Sequence, residues 1–451
     1  MPRADADAGT ACGLAPLSPL ARISRNFGTL ISGRAVAALF SLIATAILAR
    51  ALTPVEFGLV ILVHTYIITV NGLFNFKPFE AVIRYGVPAL ENSDHACFGR
   101  LLRACLRIDI LSSLGGGITA FAGAALVVGF FDWDAALIGL AQIYSLVLLF
   151  NITGTAKGVL RLYSRFDVIG GQLVVAPAVR CLGAAVAWAL DAPLAAYVLI
   201  WATAMLSSQF YLALQGWLEA RRHLEPALLR QPLGNWRGEF PGITSFVHVV
   251  YWQSNIDLVP KQAVTLFAGA LLGPTAAGLF RLAREISGVL ATPAVLLRQV
   301  LFPDFARMWH QGGHSFARVL LRVILFAGAC GLVVVAVSIP LGAPLLGFVY
   351  GNAYTAAAPL LSLLLFAGSI ELCVSVLRAA GYALGAAGGI LKLNLVSLAL
   401  YICILLLATP RWGLNGAGFA ACASAVMMLV GMLVLVKLRA PATTHSTPDS
   451  E

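Results

Sequence analysis

The chain has 451 residues, of which 60% are hydrophobic and 11% charged, with a formal net charge of +10. Soluble domains carry about 45–50% apolar and about 25% charged residues, so this composition excludes a water-soluble enzyme or a basic nucleic-acid-binding domain and indicates an integral membrane protein. A bilayer span takes about 20 mostly apolar residues, so a chain this long crosses many times.

In chain order, residues 1–25 are rich in Ala, Pro, Gly and Asp, lack the apolar run of a signal peptide, and read as a disordered cytoplasmic tail. Six apolar windows follow at 27–49, 58–80, 105–131, 135–156, 168–190 and 194–216. Six more lie at 245–271, 276–302, 319–347, 357–383, 388–408 and 413–436, the first of them unusually polar. The alternating strands of about ten residues that make a membrane β-barrel are missing. Residues 91–107 put Arg100, Arg103 and Arg107 on one helical face beside Phe98, Leu101, Leu102 and Leu106. They form either a helix along the inner surface or an extension of the third span.

One motif is written twice. Leu52-Thr53-Pro54-Val55-Glu56-Phe57-Gly58-Leu59 and Leu272-Gly273-Pro274-Thr275-Ala276-Ala277-Gly278-Leu279 share Pro, Gly and Leu at matching places, with the second copy 220 positions after the first. Duplicated helix bundles facing one another across a cavity are a common transporter plan. The predicted fold is therefore an all-α membrane protein of about twelve transmembrane helices in two pseudo-symmetric six-helix bundles around a central cavity. Residues 26–220 form the first bundle, 221–241 a cytoplasmic linker, 242–438 the second bundle and 439–451 a second cytoplasmic tail.

Lys and Arg orient it. With the N-terminus inside, Lys77, Arg84, Arg100, Arg103, Arg107, Lys157, Arg161, Arg165, Arg221, Arg222, Arg230 and Arg237 fall in inner connections of the first half. The inner connections of the second half hold Arg307, Arg318, Arg322, Lys392, Lys437 and Arg439, whereas the outer ones hold little besides Arg50 and Arg411. This is the positive-inside pattern, and it places both termini in the cytoplasm. The positive charge thus reflects topology and contact with anionic inner-leaflet lipid, with no nucleic-acid partner.

Eight cysteines show neither metal nor disulfide spacing. P-loop, HExxH and nucleophile-elbow motifs are missing, and the outer loops are short, so an enzyme is disfavoured and neither a cofactor nor a metal is predicted.

Ionisable residues inside spans carry the functional reading, because each costs roughly 2.5–3.5 kcal/mol on insertion scales unless it finds a partner or water. Arg34 in the first span either snorkels to the interface or lines a cavity. Asp257 and Lys261 are four apart beside a kinking Pro260, and Arg281 and Glu285 are four apart with Arg284 between them. They form either structural ion pairs or the wall of a hydrated cavity. The 220-residue offset sets His64 opposite Arg284, so His64, Arg34 and Arg284 are expected to face the pseudo-two-fold axis. A packed, hydrogen-bonded histidine is the alternative for His64. Arg180, Arg298, Arg378, Asp109 and Glu371 are further candidates.

Several stretches then carry a resemblance: Asn26 to Arg84, with Arg34, Leu48 to Gly58 and Ala81-Val82-Ile83-Arg84-Tyr85; Leu271 to Ala283; Val300-Leu301-Phe302-Pro303; and Gly413 to Gly418. They resemble the polysaccharide or oligosaccharide flippases of the multidrug/oligosaccharidyl-lipid/polysaccharide exporter superfamily. The resemblance implies two bundles that rock to expose a cavity alternately to either side. It also implies that the cargo is an undecaprenyl-pyrophosphate-linked oligosaccharide crossing the bacterial inner membrane for surface polysaccharide synthesis. Membrane lipids, a polysaccharide polymerase and assembly proteins would be its partners. Arg34, Arg281 and Arg284 would contact the diphosphate or acidic sugars, with Lys261 a fourth, since Arg presents a fork of donors to phosphate oxygens. Asp257, Glu285 and His64 would tune these charges or couple movement to a proton gradient. Alternatives are a peptidoglycan-precursor flippase, a cation-coupled drug or metabolite antiporter of the same superfamily, and a non-transporting scaffold for polysaccharide assembly.

Overall fold

The computed structural model describes residues 19–126, 135–224, 240–290 and 316–439, with scattered positions of 291–315; of 19–27, 256–261, 263 and 289 it describes the backbone alone. The first half holds helices α1 (Pro19–Ala51), α2 (Pro54–Leu73), α3 (Pro78–Glu91), α4 (His95–Leu126), α5 (Ala135–Ser145), α6 (Gly154–Leu162), α7 (Phe166–Ala189) and α8 (Leu194–His223). The second half holds α9 (Ile243–Leu272), α10 (Pro274–Ser287), α11 (Phe316–Tyr350), α12 (Ala358–Ala383), α13 (Ala387–Trp412) and α14 (Leu414–Arg439). We call the end of the bundle where α1 starts the near end and the opposite end the far end.

Among the described residues, nine helical stretches are long and apolar enough to cross a bilayer, α2 and α3 counting together. A tenth arises if α5 and α6, bent by 40°, are one span. Twelve windows were expected, and the two that fall short are the seventh and eighth. Polar residues interrupt α9, and the continuation of α10 runs largely outside the described residues. Leu111, Ile118, Phe210, Phe326, Ile339 and Phe348 are exposed, as suits side chains facing lipid.

Three boundaries differ from expectation. Helix α1 begins at Pro19, inside the stretch read as tail. Residues 95–107 extend the third span as the start of α4, so no separate surface helix forms there. The second window breaks at 74–77. Pro78 cannot continue an N–H ladder and disfavours the right-handed region for the residue before it; Lys77 stands at φ 48° and donates its N–H to Asn75 Oδ1 at 3.0 Å. Most of the linker and both tails lie outside the described residues.

The repeated motif starts a helix in each half. Pro54 opens α2 under a capping box in which Thr53 Oγ1 accepts from Glu56 N, and Glu56 Oε2 accepts from Thr53 N at 3.0 Å. Pro274 opens α10 after Gly273, whose φ of 86° is open to glycine at little cost. The two copies then pack on each other across the halves. A side chain on Gly58 would collide with the Pro274 carbonyl, and one on Gly278 would lie 2.8 Å from Phe57 Cδ1. Small residues let helix backbones approach closely in a membrane, where packing rather than water drives association. The Phe57 ring meets Tyr354 edge-on at 5.4 Å, and the Arg50 guanidinium donates to the carbonyls of Phe348 and Val349. The halves are therefore sealed at the far end. At the near end, Tyr85 OH of α3 donates to the carbonyl of Pro241 just before α9 at 3.2 Å, and Arg84 lies 4.5 Å over the Phe246 ring of α9.

Candidate functional site

Midway along the interface, α1 and α10 exchange polar contacts. The Thr45 hydroxyl shares its one proton between the Ser41 carbonyl at 2.9 Å and the Glu285 carboxylate at 3.2–3.3 Å, Ser41 Oγ donates to the same carboxylate at 3.4 Å, and Arg281 Nε lies 3.6 Å from Glu285 Oε2. Tyr350 OH is buried without a hydrogen-bond partner, within electrostatic reach of Glu285 and Arg281. Arg180 on α7 is also within electrostatic reach of Arg281 and Glu285. Among the described residues the centre thus holds two guanidinium groups around one carboxylate, an excess of positive charge where charge is costly.

Arg180 is held by a chain of bonds whose direction the chemistry fixes. Tyr144 OH donates to the Trp201 carbonyl at 3.2 Å, so His64 Nδ1, 2.7 Å from that hydroxyl, must be the donor to it. His64 Nε2 is then a lone-pair acceptor, and Arg180 Nη2 lies 3.4 Å away. The Arg180 guanidinium also sits 5.6 Å over the Trp201 ring. His64 is 8% exposed. Arg281 of the second half is within its electrostatic reach, so the histidine lies beside the interface without being open to it. Its partners Tyr144, Arg180 and Trp201 belong to α5, α7 and α8, and the histidine packs as the local alternative had it.

The two arginines of α10 part company. Arg281 turns to Glu285 and the interface, whereas Arg284 lines a cavity of about 550 Å³ within the second half, together with Glu371, Arg378, Asn394, Ser397 and Tyr401. There Arg378 Nη1 pairs with Glu371 Oε1 at 3.0 Å, and Nη2 donates to Asn394 Oδ1 at 3.2 Å. Arg378 is thus a wall residue of that cavity, not a snorkelling one. The side chains of Asp257, Lys261 and Arg298 lie outside the described residues, and the expected Asp257–Lys261 pairing with them; α9 continues as helix across the first two positions.

Arg34 is exposed on α1 and has company that the sequence reading had assigned to topology alone. Lys157 and Arg161 of α6 lie 5.2 Å and 4.5 Å from the Phe79 ring centre, and Arg34, Lys77 and Arg161 are all within electrostatic reach of Lys157. The break before α6 places them. Asp109 Oδ2 accepts from Thr155 N at 2.6 Å and Thr155 Oγ1 at 2.7 Å, and Asn151 Nδ2 donates to Asn71 Oδ1 at 2.6 Å. Asp109, a candidate from sequence, therefore works as the cap that starts α6.

A family model described as polysaccharide biosynthesis protein matches residues 47–359. The chain belongs to that family. It is 28% identical over 351 residues to the inner membrane protein YghQ of Escherichia coli (strain K12), which covers 75% of this chain and 95% of that one. Among solved structures, an inward-facing multidrug resistance MATE family transporter of the MOP superfamily superposes with a TM-score of 0.69 at 14% identity, over 90% of this chain and 96% of that one. The lipid II flippase MurJ, in an inward closed conformation, gives 0.66 at 10% identity, over 90% and 87%. At these identities the likeness shows the fold, a two-lobed helical transporter bundle. The chain is a multi-pass membrane protein of a polysaccharide family with the architecture of flippases and transporters of that superfamily.

Proposed function

We propose that this protein moves an undecaprenyl-pyrophosphate-linked oligosaccharide across the bacterial inner membrane for surface polysaccharide synthesis, by alternating access. The observation that carries the reading is the surplus of guanidinium over carboxylate between the halves: Arg180 and Arg281 against Glu285, with Arg34 on α1 and Arg284 in the second-half cavity. A lipid-linked diphosphate has non-bridging oxygens that suit the arginine fork and two negative charges that complement the surplus. Arg34, Arg281 and Arg284 contact the diphosphate or acidic sugars, and Lys261 is a fourth contact.

Glu285 restrains Arg281 when cargo is absent and, with Asp257, adjusts the field of the cavity. His64 serves this site through Arg180. The near end faces the cytoplasm, where the basic connections lie, and both termini are cytoplasmic. Membrane lipids, a polymerase and assembly proteins surround the protein in use. The fold is shared with a multidrug exporter, but a carrier of cationic drugs needs an acidic cavity, and the described charges run the other way.

A strain lacking the gene tests this. Lipid-linked oligosaccharide should accumulate on the cytoplasmic leaflet and clear on return of the wild-type gene, but not of Arg281→Ala or Arg34→Ala made at normal membrane levels. Normal surface polymer with no trapped intermediate, in a strain holding no second flippase gene, refutes it.

A further inference from the structure

Four cations converge in the first half from separate segments: Arg34 of α1, Lys77 of the α2–α3 break, and Lys157 and Arg161 of α6. We infer that this cluster is a docking site for a lipid-borne diphosphate, the place where the head group is first held at the near end of the protein. The inference rests on the reading of the cargo given above and names residues outside the central pair of arginines.

Three features separate the cluster from ordinary basic residues at a membrane surface. First, it is underbalanced: Glu80 is the one carboxylate within electrostatic reach of Arg161 among the described residues, and no described carboxylate forms an ion pair with any of the four. Second, it is organised. Lys157 and Arg161 both lie over the Phe79 ring, which holds their heads through cation–π contact, and Arg161 Nε is buried with no partner among the described residues. A solvated face would leave such side chains free in water. Third, the backbone that brings it together is specialised. Lys77 stands at φ 48°, and α6 is started by the buried Asp109 carboxylate at a break in the span.

Arg34 is exposed whereas the other three are half-buried, so an anion meets Arg34 and then Lys157 and Arg161. Three net positive charges exceed what a phosphodiester of ordinary phospholipid neutralises. A lipid-linked diphosphate brings two charges, and its two phosphoryl groups can engage Arg161 and Lys157 at once. The polyprenyl chain meanwhile stays in the bilayer beside α1, so the lipid need not leave the membrane for its head group to be captured.

The test is binding of farnesyl diphosphate to the purified protein in phosphatidylcholine nanodiscs, read by titration, with inorganic pyrophosphate and added phosphatidylglycerol as competitors. The combined Lys157→Gln and Arg161→Gln variant should weaken binding at least tenfold. Arg34→Gln, at an exposed position, should weaken it about threefold or more. Arg411→Gln, the same charge change at the far end, should leave it as it is. Competition by pyrophosphate places recognition in the head group and supports the inference. Displacement by phosphatidylglycerol at comparable concentration, no binding by wild type, or unchanged binding in the Arg34 and the combined variants each overturn it. The two readings fail separately. If the gene-deleted strain accumulates its intermediate and the combined variant restores it fully, the docking site is wrong and translocation stands. If binding follows the prediction but no intermediate accumulates, the site stands and translocation is wrong.

Discussion

Replacing Gly58 by Ala is the most direct mechanical perturbation of the far-end seal. The added methyl would collide with the Pro274 carbonyl and lie 3.0 Å from Thr275 N. Ordinary carbon contacts need about 3.5–4.0 Å, so α2 and α10 must part by on the order of 1 Å or more. Overpacking of this kind costs about 1–3 kcal/mol. If the halves separate here in the other state of the transport cycle, only the sealed state bears that cost, and the balance between states moves by roughly 5- to 150-fold. Val55 and Leu271 are exposed, lie at the far ends of α2 and α9 and belong to opposite halves, so spin labels on cysteines there leave the seam untouched. In a cysteine-free background, pulsed electron resonance should show a dominant short distance for the parent and a shift to longer distances for Gly58→Ala. Gly278→Ala, facing Phe57 at 2.8 Å, should act in the same direction. An unchanged distance distribution in a stably folded Gly58→Ala protein would refute the reasoning that this seam opens.

Thr45→Val removes the one hydroxyl proton that reaches the Glu285 carboxylate, a bond to a charged group worth about 1.5–3 kcal/mol at most because the Ser41 carbonyl competes for it, and should shift the same label pair toward separation, while Thr45→Ser should not. Asp109→Ala takes the cap from α6 and leaves the Thr155 N–H without its acceptor; a loss of about 1–3 kcal/mol should lower the melting temperature and weaken farnesyl diphosphate binding together. His64→Phe should also lower the melting temperature, because Arg180 loses an acceptor and Tyr144 a donor. Full stability with an altered pH profile of transport would instead give His64 a direct part in coupling.

The parts legible in the sequence were those written locally or by repetition. Composition declared the membrane, and Pro54 and Pro274 with their following glycines declared the duplication; the structure adds that the two copies pack against each other. Arg281 and Glu285 were readable as an i,i+4 pair on one helix face. What could not be read depended on contacts distant in the chain. Nothing near His64 announces Tyr144, 80 positions on, and Asp109 meets Thr155 across 46. Lys157 and Arg161 looked like residues of an inner loop because the break at 151–153 lies inside an apolar run that hides it. Arg281 and Arg284 sit three apart in α10, a helix set between the interface and the second-half cavity, so a small angular difference sends them to different places.

Translocation itself is the central claim, and purified protein in sealed vesicles tests it most directly. Vesicles carrying a fluorescent undecaprenyl-diphosphate sugar would be probed with a membrane-impermeant quencher. The account predicts that wild-type protein speeds exchange of the lipid between leaflets, and that Arg281→Ala and the combined Lys157→Gln and Arg161→Gln variant, reconstituted at equal amounts, do not. Exchange no faster than in protein-free vesicles, under either direction of an imposed proton gradient, would contradict it.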